Sequence, residues 1–421
     1  MKHILTTVVL ALVALSASAQ NGAWTIYDTR TSDIGGNNIS AIAADGKGIW
    51  VGTYQGLSRL SNGQWLDYSM FNEKLKDQSV NCLKVDERGV VWIGTDDYGV
   101  IEFDGTHWTE HADETRRLKM KFIKEIVQDN DGVYWIGVTL GGIVRYDGYT
   151  WEKFPPDDSG LPSDFILDLA VDRANRKWIT TNEGVGVYND RRWVVYTVQN
   201  SGLPDNIVPA IAIDNENVKW FGTLSGLARY DGKAWKVWNT KNSPLPSNQV
   251  NDISIDADGL LWIATNEGAA VFDGTDNWVV FTSKNSQLPA GNIYKVSNDD
   301  RGNHWFGNDT KGLAKLSDFT MPSGKQGSGN GGQSTGNDSR NDGPSDEHVR
   351  INPHLSEGYI TVSIESPLAT ITFTNSDGKV VKTVENYTNN QRIKINRMPR
   401  GMYTVGVKTQ RGEKKIKFNL K

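Results

Sequence analysis

From residue 24 to about residue 319 the chain repeats one arrangement of apolar and polar positions. Each unit opens on an apolar run, such as 38–45 or 251–256, that ends in Asp. A Gly or Asn stands three residues after that Asp, in the pairs Asp45/Gly48, Asp86/Gly89, Asp129/Gly132, Asp172/Asn175, Asp214/Asn217, Asp256/Gly259 and Asp299/Gly302. These are the residues that most readily take positive φ, so a turn is expected there. A second run follows, centred on Trp: Trp50, Trp92, Trp135, Trp178, Trp220, Trp262 and Trp305, spaced 42 or 43 apart. A third run leads into Asn62-Gly63, Asp104-Gly105, Asp147-Gly148, Asn189-Asp190, Asp231-Gly232 or Asp273-Gly274, which predict two-residue hairpins. A fourth opens on a second Trp: Trp65, Trp108, Trp151, Trp193, Trp235 or Trp278.

Four short strands joined by tight turns, repeated seven times at this period, predict a seven-bladed β-propeller. The seventh unit has no fourth strand after Leu316. Residues 24–28 (WTIYD) match 193–197 (WVVYT), so the N-terminal strand is expected to complete blade seven and close the ring. Fourteen of the 15 tryptophans fall on the two repeating positions, which assigns them to packing between blades rather than to a ligand platform.

Beyond the repeats the pattern changes twice. Residues 320–347 are rich in Gly, Ser, Asn and Asp and read as a flexible linker. Apolar runs resume at 359–365, 369–375, 379–384, 391–395, 401–408 and 414–420, which predict a small β-sandwich over 348–421. At the other end, Lys2 and His3, an apolar run over 4–15 and Ala17-Ser18-Ala19 read as a signal peptide over 1–19. The expected fold is therefore all-β: a propeller over 20–319, a linker, and a C-terminal sandwich. No other run reaches the roughly 18 apolar residues of a membrane helix.

Charge and cysteine content narrow the chemistry. Residues 348–421 carry 13 Lys and Arg against 5 Asp and Glu, so the net charge of −5 leaves −13 on residues 1–347. An acidic propeller repels polyphosphate, which argues against nucleic acid. The single cysteine, Cys82, lies in an apolar run and reads as a buried thiol; no disulfide framework is available. His107, His111, His304, His348 and His354 show no metal-ligand spacing. Asp129-Asn130-Asp131-Gly132 looks like part of a calcium loop but sits at the repeated turn. No catalytic constellation, metal site or cofactor is indicated, and oligomeric state is not legible.

Two loop sets share one face of the expected ring. The turns between second and third strands differ from unit to unit and supply the candidate ligand-binding residues: Tyr54, Gln55, Asp96, Asp97, Tyr98, Asn182, Glu183, Asn266, Glu267 and Asp309. The adjacent carboxylates Asp96 and Asp97 diverge on a turn and make a poor glycosidase pair. Two inter-blade loops, 70–79 and 111–121, are longer and irregular, and the second is basic.

The W-I-G-T core, the following Gly-aliphatic pair and the Y/F-D-G-x-x-W segment resemble the two-component-regulator propeller repeat. That resemblance implies an extracytoplasmic sensing or binding role, in some cases for oligosaccharides. The C-terminal segment resembles the type IX secretion sorting domain through Asn352-Pro353, 377–381 (DGKVV), 398–405 (MPRGMYTV) and a Lys-rich last strand. It implies an exported protein of a Gram-negative bacterium. The expected function is a non-enzymatic binding or scaffold protein that meets a glycan or cell-envelope partner. A propeller polysaccharide lyase or glycosidase, and an accessory part of the type IX machinery, are the alternatives.

Overall fold

In the computed structural model the described residues are 22–154, 160–322, 350–354, 359–363, 368–375, 377–388, 393–395, 398–409 and 412–420. The expected signal peptide and nearly all of the expected linker lie outside them. The chain divides into two compact units, one through Lys325 and one from Gln326.

The first unit is seven four-stranded antiparallel sheets, six of them running in chain order from an innermost to an outermost strand. The innermost strands are Ile39–Ala44, Val80–Val85, Ile123–Gln128, Ile166–Val171, Ala210–Ile213, Val250–Ile255 and Ile293–Asn298, on blades one to seven. Blade seven takes its outermost strand from the N-terminus: Ala23–Tyr27 pairs antiparallel with Leu313–Ser317, Trp24 opposite Leu316. The ring is closed, as the repeat count required.

Three contacts explain why the unit is spelled as it is. First, each core Trp is at most 3 % exposed, and its indole N–H donates to the Asp of its own blade's turn at 2.8–3.4 Å, from Trp50 to Asp45 through Trp305 to Asp299. The Asp thus does more than shape a turn: it satisfies a buried donor that would otherwise cost about 1–3 kcal/mol. Second, the residue before each Trp covers the Trp of the preceding blade. Tyr134 stacks on Trp92 at 3.8 Å, His304 on Trp262 at 3.5 Å, and the Lys177 and Lys219 ammonium groups lie 4.8 and 5.1 Å from the ring centres of Trp135 and Trp178. Val91, Leu261 and Ile49 pack with Trp50, Trp220 and Trp305. Third, the Gly that stands two residues after the Trp in five blades faces the next blade. A Cβ on Gly137 would lie 2.7 Å from Ile166, and one on Gly52 2.7 Å from Val80.

The same contacts link blades electrostatically. Tyr134 donates to Asp86 at 2.7 Å, and Lys177 and Lys219 pair with Asp129 and Asp172 at 3.1 and 3.4 Å. Burial alone would raise Asp86, Asp129 and Asp172, but it is outweighed, by Tyr134 and Arg88 at Asp86, by Trp135 and Lys177 at Asp129, and by Arg176 and Trp178 at Asp172, so all three are held below the usual carboxylate range. Asp256 has no such cross-blade donor, and burial leaves it raised.

Several local expectations need correction. Positive φ falls on the third residue after Asp in blades two to seven, but on Gly46 in blade one, where the turn is one residue shorter. Only Asn62-Gly63, with both residues at positive φ, is a two-residue hairpin turn. The other loops to the outermost strand are longer, because the leading Asp or Asn accepts backbone N–H groups two and three residues on, as Asp104 does from Thr106 and His107. The 111–121 loop is not irregular: it holds the helix Ala112–Leu118, anchored by buried Leu118 and Met120.

The second unit has a three-stranded sheet (Arg350–His354, Tyr359–Ser363, Ile393–Lys394) and a four-stranded sheet in the order Val380–Tyr387, Ala369–Asn375, Gly401–Thr409, Gly412–Leu420. Ile360 and Val362 of the first sheet share one buried core with Ile371, Phe373, Val405 and Val407 of the second. The buried Tyr387 phenol bonds both backbone groups of Val362, at 2.6 and 2.9 Å. The Arg350–His354 strand is a gain over the sequence reading; Pro353 fits because that strand is an edge.

Candidate functional site at the axial mouth

The innermost strands begin, and the second strands end, on the same rim of the ring, so the turns between second and third strands surround the axis there. Five of these turns share one side-chain brace. Thr53, Thr95, Thr181, Thr223 and Thr265 each donate a hydroxyl hydrogen to the carbonyl of a positive-φ glycine that reopens the sheet.

On the innermost strands, six blades carry a bulge between the first and third residues, so the second residue leaves the ladder. These residues are Ser40, Asn81, Lys124, Leu167, Asn251 and Tyr294; in blade five Pro209, without an N–H, stands at the same place, just before Ala210–Ile213. They form the axial mouth. Lys124 and Tyr294 come from blades three and seven, far apart around the ring, yet Lys124 Nζ donates to Tyr294 Oη at 2.6 Å. The pair spans the axis and gives the mouth a floor. Burial would raise the Tyr294 phenol; the positive charges of Lys124 and Lys295 outweigh it and hold the phenol below its ordinary range.

One residue deeper lie Ala41, Cys82, Glu125, Asp168, Ala210, Asp252 and Lys295. Lys295 pairs with Asp252 at 3.6 Å. Asp168 and Asp252 each accept a backbone N–H of the next blade, from Ile211 at 2.8 Å and Val296 at 2.9 Å. Three carboxylates share one ammonium, so burial first, and then mutual repulsion, pushes Asp168 up to about 8 and raises Glu125. Burial likewise pushes the Cys82 thiol well up.

The sequence-derived candidates fall into two groups around this mouth. Tyr54 lies near Tyr294, Asp96 and Asp309: burial first, and then the negative charge of these three groups, raises its phenol. Asp96 accepts from the axial Asn81 at 2.6 Å, and Asn266 from the axial Asn251 at 3.0 Å. Asn182 also sits on this rim, its Oδ1 buried without a hydrogen-bond partner. The others are turned outward: Gln55, Glu183 and Glu267 are exposed, Asp97 pairs with Lys121 at 3.0 Å, and the Tyr98 ring lies 5.0 Å from Lys74 Nζ.

The sequence reading missed Lys124, Tyr294 and the charged layer beneath them. It also missed Phe122, 47 % exposed and held at φ 54° by its N–H to Asp96 carbonyl bond at 2.8 Å and a bond from Thr139 N–H at 3.1 Å. A bulky residue in the left-handed region is a strained position. The available signal was the second and third positions of each innermost strand, where charged and aromatic residues interrupt an otherwise apolar repeat.

A shallow polar hollow between blades seven and one, lined by Lys47, Asn62, Asp300 and Arg301 among others, lies on the opposite rim, at about 130 Å³ too small for a drug-sized ligand. Among the described residues no group of three or more His, Cys, Asp or Glu side chains is arranged to hold a metal ion. No described helix is long and apolar enough to cross a membrane.

Residues 33–55, 74–97 and 244–267 match the family described as two component regulator propeller, and residues 351–421 match the secretion system C-terminal sorting domain. The chain carries regulator-propeller repeats and a sorting domain. It is thus an exported propeller protein of the cell surface or extracellular space. No curated protein shows significant similarity to it. Among solved structures it is similar to the extracellular domain of a hybrid two-component system from B. thetaiotaomicron, at 18% identity and TM-score 0.61 over 94% of this chain and 57% of that one. It is also similar to PorZ, an essential surface component of the type IX secretion system of Porphyromonas gingivalis, at 18% identity and TM-score 0.58 over 92% and 60%. Virginiamycin B lyase from Staphylococcus aureus matches at 16% identity and TM-score 0.57 over 70% of this chain and 98% of the lyase. The chain spans 57% and 60% of the first two relatives, and identities this low speak for the fold alone.

Proposed function

We propose that the protein is a non-enzymatic exported binding protein that holds a glycan of the cell envelope or surroundings at the axial mouth. One observation carries the reading: on one rim, half-exposed Tyr54 and Phe122 stand beside Asn81, Asn251, Asn266, Asp96 and Asp309 above a floor made by Lys124 and Tyr294. Aromatic faces cover the apolar side of a sugar ring, and amide and carboxylate groups match its hydroxyls. A glycan array probed with the full-length protein tests it. Binding is expected, with loss in Tyr54→Ala and Asn251→Ala and none in Lys47→Ala on the opposite rim. Absence of binding across the array, or equal loss in all three variants, would overturn it.

Two further readings each have an observation in their favour. A tyrosine held below its ordinary range by a lysine is suited to proton transfer, so turnover of a polysaccharide panel that vanishes in Tyr294→Phe would replace binding with lyase chemistry. The likeness to PorZ over 92% of the chain favours an accessory role in type IX secretion. Mislocalised cargo in a deletion strain supports that role; normal secretion removes it.

A further inference from the structure

The floor of the mouth pairs its one bridging cation in an unusual way. Lys177, Lys219 and Lys295 each meet a carboxylate, Asp129, Asp172 and Asp252 respectively. Lys124 meets a phenol instead, and among the described residues no carboxylate lies within ion-pair distance of its ammonium. Glu125, its neighbour in the chain, belongs to the deeper layer around Lys295. The phenol takes one of the three N–H bonds an ammonium donates. Among the described residues the Lys124 ammonium therefore has no carboxylate in ion-pair contact, although the propeller as a whole is acidic. It sits half-buried at the centre of the mouth, where a ligand resting on the floor meets it.

Asp96 and Asp309, beside Tyr54, divide the mouth electrostatically: they accept hydrogen bonds from sugar hydroxyls and repel an anion, so a negative group is steered to the axis. The phenol held low by Lys124 is the weaker partner, because a carboxylate brings a full charge and two acceptor oxygens.

We propose that the mouth selects carboxylate-bearing glycans, with Lys124 receiving the uronate carboxylate and Tyr54, Asp96 and Asp309 contacting the rest of the sugar. This rests on the glycan-binding reading and adds the substrate class to it.

The test uses the full-length protein with short oligogalacturonates and their methyl esters, which keep the sugar and remove the charge. Titration calorimetry is expected to show the acid binding roughly 10- to 100-fold more tightly than the ester, the scale of one charge-assisted bond. Lys124→Met is expected to remove that preference, so that the variant binds acid and ester equally. Lys124→Arg and Tyr294→Phe, which keep the charge, are expected to retain the preference and guard against misfolding of the Met variant. Rising salt is expected to shrink the preference. Acid and ester binding equally, or a preference that survives Lys124→Met, overturns the inference and leaves the broader reading intact. Binding confined to neutral sugars on the array does the same. No binding to any sugar overturns both. A lowered melting temperature in Lys124→Met with the preference unchanged makes the pair a structural brace and also overturns it.

Discussion

Replacing Lys177 by Leu should destabilise the propeller by about 3–5 kcal/mol at neutral pH, the cost of removing one partner of a buried pair. The Lys177 side chain is 1% exposed and that of Asp129 3%. The ammonium lies 3.1 Å from Asp129 Oδ2, 2.8 Å from Asp190 Oδ1, and over the Trp135 ring. After the change Asp129 keeps the Trp135 indole at 2.9 Å and the backbone N–H groups of Asp131 and Val133 at 3.0 Å, but no countercharge. That is the situation of Asp256, whose carboxyl burial raises. The sign then reverses. In the wild type Asp129 is held low, so its contribution is present above its unfolded value and lost as pH falls through the folded one. In the variant a raised Asp129 costs stability above its unfolded value. The difference between the proteins should therefore be large at pH 7 and shrink as pH falls through the ordinary carboxylate range and below it, where the carboxyl takes up its proton. Denaturant unfolding followed by tryptophan fluorescence across pH 3–7 reads both quantities. Pairing Lys177→Leu with Asp129→Asn should recover part of the loss. A loss under about 1 kcal/mol at pH 7, or one independent of pH, would refute the claim that this contact is a buried charge tether between blades.

Three other outcomes follow from contacts already described. Burial lowers His304 to about 4, so the fold binds its proton less readily than the unfolded chain does, and stability should fall as pH drops from about 6.5 towards 4; His304→Phe should remove about 3 kcal/mol of that dependence, measured by thermal melts across the window. Gly94→Ala should cost about 1–3 kcal/mol, because the new Cβ would press on Cys82 Sγ and lie 2.7 Å from Ile123 Cγ2; an unchanged melting temperature would contradict the close blade contact. Cys82, 2% exposed with its thiol pushed well up, should ignore a thiol reagent in the native protein and react at once in denaturant.

The closed seven-bladed ring was legible because its evidence is local and repeated: the Trp spacing counts the blades, and the orphaned seventh unit points to residues 24–28. The tethers were not. An Asp and a Trp six residues apart reveal nothing until the hairpin between them folds, and Lys177 meets Trp135 only because two blades are adjacent. The axial mouth was the least legible part. Lys124 and Tyr294 are separated by 170 residues and meet only when the ring closes, so each reads singly as a polar break in an apolar strand. The candidate turns could be placed on one face from the order of strands alone, but which of them lean towards the axis depends on pairings such as Asp96 with Asn81. The helix at Ala112–Leu118 spans too few residues to show a helical period.

The pairing of Ala23–Tyr27 with Leu313–Ser317 also sets a schedule. A strand that emerges first has its partner some 290 residues later, so Trp24 and Ile26 stay without a place while six blades form around them. Contacts this distant form last and fold slowly. Until residue 317 is present Ala23–Tyr27 is a strand without its partner, and any other strand edge in reach competes for it. The ring is thus a latch that closes only once residues 313–317 have been made, and any shorter chain keeps its first strand unpaired.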